Sequence, residues 1–154
     1  MLPTYRSILV PIDFSPVSRL VVAHAVSLAS RYEASVHVIH TWELPPPLRP
    51  DLTVWSGELR PSLELEAHEE SKRTLKALLD DPDFYVRGIT SEVLHGHPYQ
   101  QIIATAEARH CDLIVMGTHG RTGVAHLLMG SVAEKVIRHA KCPVFTVRSP
   151  AAGA

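Results

Sequence analysis

Residues 112–139 read DLIVMGTHGRTGVAHLLMGSVAEKVIRH, which is a short apolar run, a glycine-rich turn and an amphipathic segment in that order. The run DLIVM is typical of a buried parallel strand, and SVAEKVIRH is typical of a helix. The turn between them carries glycines at positions 117, 120, 123 and 130. Such a turn lets backbone N–H groups approach an anion closely, and the helix start adds unpaired donors and partial positive charge. The stretch therefore predicts a phosphate-binding turn, and a nucleotide is the commonest small ligand that brings phosphate there.

The rest of the chain alternates between apolar runs and amphipathic stretches. The predicted strands are Arg6 to Ile12, Ser35 to Thr41, Tyr85 to Leu94, Asp112 to Met116 and Pro143 to Val147. The predicted helices are Val17 to Arg31 with Ser15 as N-cap, Pro61 to Leu79, His97-Pro98 to Arg109, and Ser131 to Ala140. This alternation predicts an α/β fold, a doubly wound five-stranded parallel sheet of order 3-2-1-4-5 with helices on both faces.

Composition narrows the class of protein. The chain has 154 residues, 45% hydrophobic and 20% charged, which suffices for one domain with its own core. A formal net charge of −1 with scattered Lys and Arg argues against nucleic-acid binding. No apolar run has the length of a membrane span, and the start MLPTYRSILVPID lacks signal-peptide features. We expect a single cytoplasmic domain over residues 1–154, without a membrane partner, with a proline-rich loop at 42–60 and a frayed tail at 149–154.

Cysteine and histidine suggest two further kinds of site. Cys111 and Cys142 each lie just before a predicted strand, so their thiols come fairly close if those strands are neighbours. We expect free thiols that fill small apolar gaps, with oxidation as the alternative. His95 and His97 invite a metal site, but no carboxylate or cysteine falls at ligand spacing, and we expect no resident metal there.

The predicted strand order also indicates where a ligand binds. In doubly wound sheets ligands bind outside the carboxyl ends of the strands, where the strand order reverses, here between the first and fourth strands. The first strand ends in Pro11, Ile12 and Asp13, and the fourth ends in Gly117 and the glycine turn. An acidic side chain and a phosphate-binding turn thus share one crevice, which predicts a nucleotide site.

The residues of this crevice suggest different roles. The predicted phosphate ligands are backbone N–H groups, at Gly120, Gly130, Ser131 and Val132. The Ser131 hydroxyl can donate to a phosphate oxygen or reach a metal ion. Asp13 either accepts a hydrogen bond from ribose or adenine or helps to hold Mg²⁺, and its alternative role is to cap the first helix region. His119 and Arg121 can add charge-assisted hydrogen bonds.

Several motifs resemble those of the universal stress protein family over about residues 5–148. The most specific is Gly117, two residues, Gly120, nine residues, then Gly130-Ser131, which resembles the signature of the family's ATP-binding branch. ILVPIDFS near the start, Gly96 with Pro98, DLIVMGTHGRTG and GSVAEKVIRHAKCPVFTVR are also similar to the family pattern. The resemblance implies an adenine nucleotide alpha-hydrolase-like fold.

The resemblance also implies ATP as the ligand, with Mg²⁺ carried by the nucleotide near Asp13 or Ser131. By position, Asp13 contacts the nucleoside, and the adenine or ribose pocket is lined by Pro11, Ile12 and Thr41. The ribose and phosphates are bordered by Met116, Gly117, His119, Gly120 and Arg121, and the phosphate chain is held by Gly130, Ser131 and Val132. A homodimer through the last strand, Pro143 to Val147, is implied as well, and it would cover an otherwise exposed apolar edge.

The expected function is that of an ATP-binding sensor or regulator in the stress response, with an unidentified protein partner. Members of the family are similar in having at most weak ATPase activity. The chain has no GxxxxGK[ST] motif and no evident base to orient water, so we expect at most slow hydrolysis. The alternatives are a genuine ATPase or adenylate-transferring enzyme and a nucleotide-free dimeric interaction module. A phospho-receiver is disfavoured because the first strand ends in a single Asp13 and the third in Leu94-His95.

Overall fold

Five parallel strands form one sheet in the computed structural model, which describes residues 3–43, 53–118 and 129–148, and of residues 53–62 only the backbone. The strands are β1 (Ser7–Ile12), β2 (Ser35–Trp42), β3 (Ile89–His95), β4 (Leu113–Gly117) and β5 (Val144–Val147). Their order across the sheet is β3-β2-β1-β4-β5, with β1 between β2 and β4. The predicted fold class and strand order are confirmed.

Helices cover both faces of this sheet: α1 (Ser18–Tyr32), α2 (Thr53–Leu79), α3 (Pro98–Ala108) and α4 (Ser131–His139). The α1-face cluster joins α1 and α2 to the sheet and includes Ile8, Val10, Val22, Ala25, Val36, Val38 and Leu75. The α4-face cluster joins α3 and α4 to the opposite face and includes Leu9, Ile39, Ile102, Ile114, Met116 and Val136. Because β1 contributes to both clusters, it is buried on both faces, which explains its continuous apolar run.

The predicted loop over residues 42–60 is wrong at both ends, because β2 includes Trp42 and helix α2 begins at Thr53. The predicted helix started at Pro61, but α2 starts eight residues earlier and continues through Gly57 and Pro61. A proline inside a helix removes one N–H donor, and the rest of a long helix can tolerate that loss. No helix in the described ranges is long and apolar enough to cross a membrane. The predicted tail, residues 149–154, lies outside the described residues.

Strand β3 begins at Ile89 rather than at Tyr85. A single 3-10 turn, Pro82–Phe84, comes first, and Asp81 caps it by accepting a hydrogen bond from the Asp83 N–H at 2.9 Å. Gly88 then adopts φ +82, a left-handed conformation that extended strands exclude. The apolar run therefore becomes a strand only after Gly88.

Candidate functional site

Three neighbouring strands bring predicted site residues to one edge of the sheet. β1 and β2 pair in parallel up to Ile12, so the next residues, Asp13 and Thr41, lie side by side. β1 also pairs with β4, and continuing that register sets Ile12 opposite Gly117. The carboxyl ends of β1, β2 and β4 therefore bring Asp13, Thr41 and Gly117 together at the reversal of strand order.

The faces of these strands separate the pocket-lining candidates into two groups. Pro11, Thr41 and Met116 lie on the α4 face, each two residues beyond a fully buried member of the α4-face cluster, Leu9, Ile39 and Ile114 respectively. The side chain of Ile12 lies on the α1 face, and its carbonyl accepts a hydrogen bond from Nδ1 of His40 at 2.9 Å. A molecule bound on the α4 face can therefore contact Ile12 only through its main chain.

The start of α4 is held against the end of β4. The Gly130 N–H donates to the Thr118 carbonyl at 2.6 Å, and the Thr118 N–H donates to the Val147 carbonyl at 3.0 Å. The first α-helical bond of α4 is donated by Glu134 to Gly130 at 3.0 Å. The N–H groups that precede it, those of Ser131 and the next two residues, receive no carbonyl from within the helix. Unpaired donors and the positive end of the helix dipole therefore lie at the carboxyl end of β4.

Asp13 makes the helix-capping contacts that the sequence left open. Its Oδ1 accepts hydrogen bonds from the Ser15 N–H at 3.0 Å and from the Ser18 hydroxyl at 3.2 Å. The predicted N-cap, Ser15, is wrong: the cap residue is Val17, and the Asp13 side chain organises the turn instead. Among the described residues no hydrogen bond reaches Oδ2 of Asp13. The half-buried carboxylate thus supports the turn through one oxygen and leaves the other for a ligand.

Two features beside Asp13 were not predicted from the sequence. The Ser15 hydroxyl is buried without a hydrogen-bond partner in the described part of the chain, which costs about 1–3 kcal/mol. Phe14 has φ 59, a strained value for a bulky residue, and its ring stacks on His40 with centroids 4.0 Å apart. Unsatisfied polar atoms and strained backbone are concentrated at binding sites. The only signal in the sequence was the DFS triplet directly after the first strand.

The remaining predicted residues follow β4 in the sequence. His119, Gly120 and Arg121 are outside the described residues, so their roles stay predictions. Gly130, Ser131 and Val132 lie at the start of α4. The prediction of Gly130 as an N–H ligand of phosphate needs correction, because the Gly130 N–H already donates to the Thr118 carbonyl. Within the described ranges, no three His, Cys, Asp or Glu side chains are grouped as a metal ion would require.

Comparison with known proteins agrees with this architecture. The model of the universal stress protein family matches residues 4–148. Universal stress protein MJ0531 of Methanocaldococcus jannaschii is 37% identical over 147 residues, which cover 95% of this chain and 84% of that protein. The solved structure of MJ0577 from the same organism matches with a TM-score of 0.82 at 25% identity and covers 97% of this chain and 100% of that one.

Two more distant structures share the fold and were solved with nucleotides. One is a universal stress protein in complex with cAMP, with a TM-score of 0.60 and 23% identity, covering 95% of this chain and 98% of that one. The other is a universal stress protein from Archaeoglobus fulgidus in complex with dAMP, with a TM-score of 0.62 and 21% identity, covering 94% and 98%. The sheet order is that of the adenine nucleotide alpha-hydrolase-like fold. With a family match over nearly its whole length, this chain belongs to the universal stress protein family.

Proposed function

We propose that this chain binds ATP at the carboxyl ends of β1, β2 and β4, and that the nucleotide sets its conformation or partner choice in a cytoplasmic stress response. The observation that carries the proposal is the hydrogen bond from the Gly130 N–H to the Thr118 carbonyl. It joins the free N–H groups of α4 to the strand end next to Asp13, where doubly wound sheets bind ligands. The cAMP and dAMP complexes of two related proteins support an adenine nucleotide.

The parts of the nucleotide are assigned by chemistry. The adenine and ribose lie on the α4 face, against Pro11, Thr41, Met116 and the main chain of Ile12. Asp13 accepts a hydrogen bond from the nucleoside through Oδ2. The phosphates bind the free N–H groups at the start of α4, at Ser131 and Val132, while Gly130 holds this helix start in place through its bond to the Thr118 carbonyl. The ribose and phosphates are further bordered by the segment with Gly117, His119, Gly120 and Arg121.

Magnesium fits the donors at this edge. Mg²⁺ prefers oxygen ligands, and the described residues offer the Ser131 hydroxyl, or Oδ2 of Asp13 in place of its hydrogen bond to the nucleoside. When bound with ATP, the ion would neutralise phosphate charge. In either arrangement the turn before α1 stays unchanged, because Oδ1 of Asp13 keeps its two donors.

These residues favour a role in sensing the nucleotide over one in hydrolysing ATP. Phosphoryl transfer requires positioned cations and a group that orients the attacking water. The sequence has no Walker lysine. Asp13 is committed to the turn through Oδ1. We therefore expect at most slow hydrolysis, far below ordinary enzyme rates of about 10 per second.

The decisive experiment identifies the small molecules released from freshly purified protein by mass spectrometry and measures melting with ATP, AMP and Mg²⁺. A ligand at 100 times its Kd stabilises by about 2.7 kcal/mol, which raises the Tm by roughly 5–10 °C in a chain of this size. Protein that releases no nucleotide and melts at an unchanged temperature with ATP would refute the proposal. ADP production near ordinary enzyme rates would replace the sensor with an ATPase.

A pair of substitutions at Ser131 tests the phosphate end. Ser131→Glu puts a carboxylate in the first turn of α4, where the helix dipole favours it by about 0.3–1 kcal/mol, but it repels phosphate. We expect unchanged or raised stability and at least a tenfold loss of ATP affinity by calorimetry. Ser131→Gln is the neutral control of similar size and should retain more affinity. Equal ATP affinity of the Glu and Gln variants would exclude phosphate from the start of α4.

The free edge of the sheet supports a homodimer. Strand β5 lies at the edge and exposes Phe145 by 42%, so its backbone groups and an aromatic ring are available to a second copy. We propose that two chains pair through Pro143 to Val147. Sedimentation should give twice the chain mass of 17.0 kDa, and Phe145→Glu should give monomers. Tyr85→Glu, at a residue exposed by 87% elsewhere, is the control that should remain dimeric. A dimer that survives Phe145→Glu would exclude this interface.

A further inference from the structure

Cys111 and Cys142 line one cavity at the amino end of the sheet, opposite the proposed nucleotide edge. The cavity has a volume of about 300 Å³ and lies beyond the carboxyl ends of α3 and α4, next to Ala106 and Ala140. Both sulfurs are on the α4 face: Cys111 is a buried member of the α4-face cluster, and Cys142 packs against that cluster. Both are free thiols.

The pairing of β4 with β5 brings the two cysteines close together. Ile114 lies opposite Val144, so continuing the register sets the residue after Cys111 opposite Cys142. The Ile114 N–H donates to the Pro143 carbonyl at 3.0 Å, which ties the two strands together at this level. Cys111 and Cys142 each lie two residues before a strand, where the chain is free of strand geometry, and both line the same cavity. A disulfide requires Cα atoms about 4.4–6.8 Å apart, which is close to the spacing of neighbouring strands.

Burial raises the pKa of both thiols, and the nearness of Cys111 adds to the effect at Cys142. The Ser7 hydroxyl lies 3.5 Å from the Cys111 sulfur as a donor, which opposes the effect of burial there. Lys141 and Glu107 pair at 2.9 Å beside the cavity. Cys142 is only partly buried, so a reagent in solution reaches it more easily than it reaches Cys111.

We propose that Cys111 and Cys142 form a reversible intramolecular disulfide by exchange with a low-molecular-weight disulfide such as oxidised glutathione. Cys142 loses its proton to solvent and its thiolate attacks the glutathione disulfide, which forms a mixed disulfide and releases one glutathione thiolate. The Cys111 thiolate then attacks the Cys142 sulfur and releases the second glutathione. Two protein thiols are oxidised, one glutathione disulfide is reduced, and the two departing thiolates take up two protons.

The bond would join the two ends of the segment that contains β4, the glycine-rich turn and α4. Closing a loop of this length restricts the unfolded chain and raises the Tm by up to roughly 10 °C if the bond is unstrained. Because thiolates are the attacking species and burial raises both pKa values, exchange should be slow at neutral pH and faster as the pH rises. The proposal does not depend on nucleotide binding.

The test treats the folded, full-length protein with oxidised glutathione at pH 7 and at pH 9, alkylates the remaining thiols, and maps the peptides by mass spectrometry. We expect a Cys111–Cys142 cross-linked peptide that dithiothreitol removes, a higher yield at pH 9, and a higher Tm. Cys142→Ser should lose the cross-link and the rise in Tm. Cys111→Ser should keep one glutathione on Cys142.

Three outcomes would overturn the inference. They are two stable mixed disulfides without a cross-link, disulfides only between chains, and thiols that stay unmodified until the protein unfolds. Since Cys111 is buried, its serine variant can fold poorly. The partly exposed Cys142→Ser therefore provides an independent test, because a rise in Tm with oxidised glutathione as large as that of the unmodified protein would show that the cross-link is not its cause.

Discussion

The two roles of Asp13, in the turn before α1 and at the proposed nucleotide site, are separable by a pair of substitutions. Oδ1 accepts from the Ser15 N–H at 3.0 Å and from the Ser18 hydroxyl at 3.2 Å, and Ser18 is only 3% exposed. Asp13→Ala removes the acceptor that both donors share and leaves the buried Ser18 hydroxyl without this partner. Asp13→Asn keeps an oxygen at Oδ1 and replaces Oδ2 with an amide nitrogen, which donates instead of accepting.

The structure sets the expected magnitudes. Two bonds to a half-buried carboxylate, with one donor buried, are worth about 2–4 kcal/mol together. Asp13→Ala should therefore lower the Tm by roughly 5–15 °C in a chain of this size. Asp13→Asn loses only the contribution of charge and should cost about 1 kcal/mol. If Oδ2 accepts from the nucleoside, the Asn variant should lose at least about tenfold in ATP affinity, which is 1.4 kcal/mol.

Stability is measured by urea unfolding followed by tryptophan fluorescence, and affinity by calorimetry on the folded variants. An Asn variant as unstable as the Ala variant would refute the assignment of both bonds to Oδ1. An Asn variant that binds ATP like the unmodified protein would refute the proposed contact through Oδ2. An Ala variant of unchanged stability would show that the turn does not depend on the carboxylate.

Further predictions concern the core and the pH response. Val136 is fully buried in the α4-face cluster, so Val136→Ala should lower the unfolding free energy by about 2 kcal/mol in urea, and a loss below about 0.5 kcal/mol would contradict that packing. Burial, followed by the charge of Arg109, lowers the pKa of His37 despite Glu92 at 3.4 Å from its Nε2. The unfolded chain, with a histidine pKa of about 6.5, therefore takes up the proton first, and stability should fall below that pH by at most about 1.4 kcal/mol per pH unit. His37→Gln should flatten the fall seen in urea unfolding at pH 5–7, and a profile as steep as that of the unmodified protein would refute the reasoning.

Much of the fold was predictable because its signals are local. Apolar runs and amphipathic stretches alternate along the chain, and the rules for parallel crossovers leave few strand orders. The first residues of α3 and α4 follow from Pro98 and from Gly130-Ser131, because these residues act within one helical turn.

The errors occurred where a local signal was outweighed. Gly57 and Pro61 resemble helix breakers, yet α2 runs through them from Thr53. Ser15 has the side chain of an N-cap, yet Asp13 takes up the donors of the turn. A helix-breaking or capping residue changes the stability of a helix by about 1–3 kcal/mol. Contacts with the rest of the chain can contribute more than that.

By itself, the sequence determined which residues lie at the carboxyl edge, because strand ends are set by the length of each apolar run. The tertiary structure decided which face each residue occupies and what it contacts. β1 is apolar along its length, so no alternation in the sequence could show that Ile12 lies on the α1 face and Pro11 on the α4 face. Packing also decided that the Gly130 N–H donates to the Thr118 carbonyl, because a hydrogen bond between residues twelve positions apart depends on how the chain folds between them.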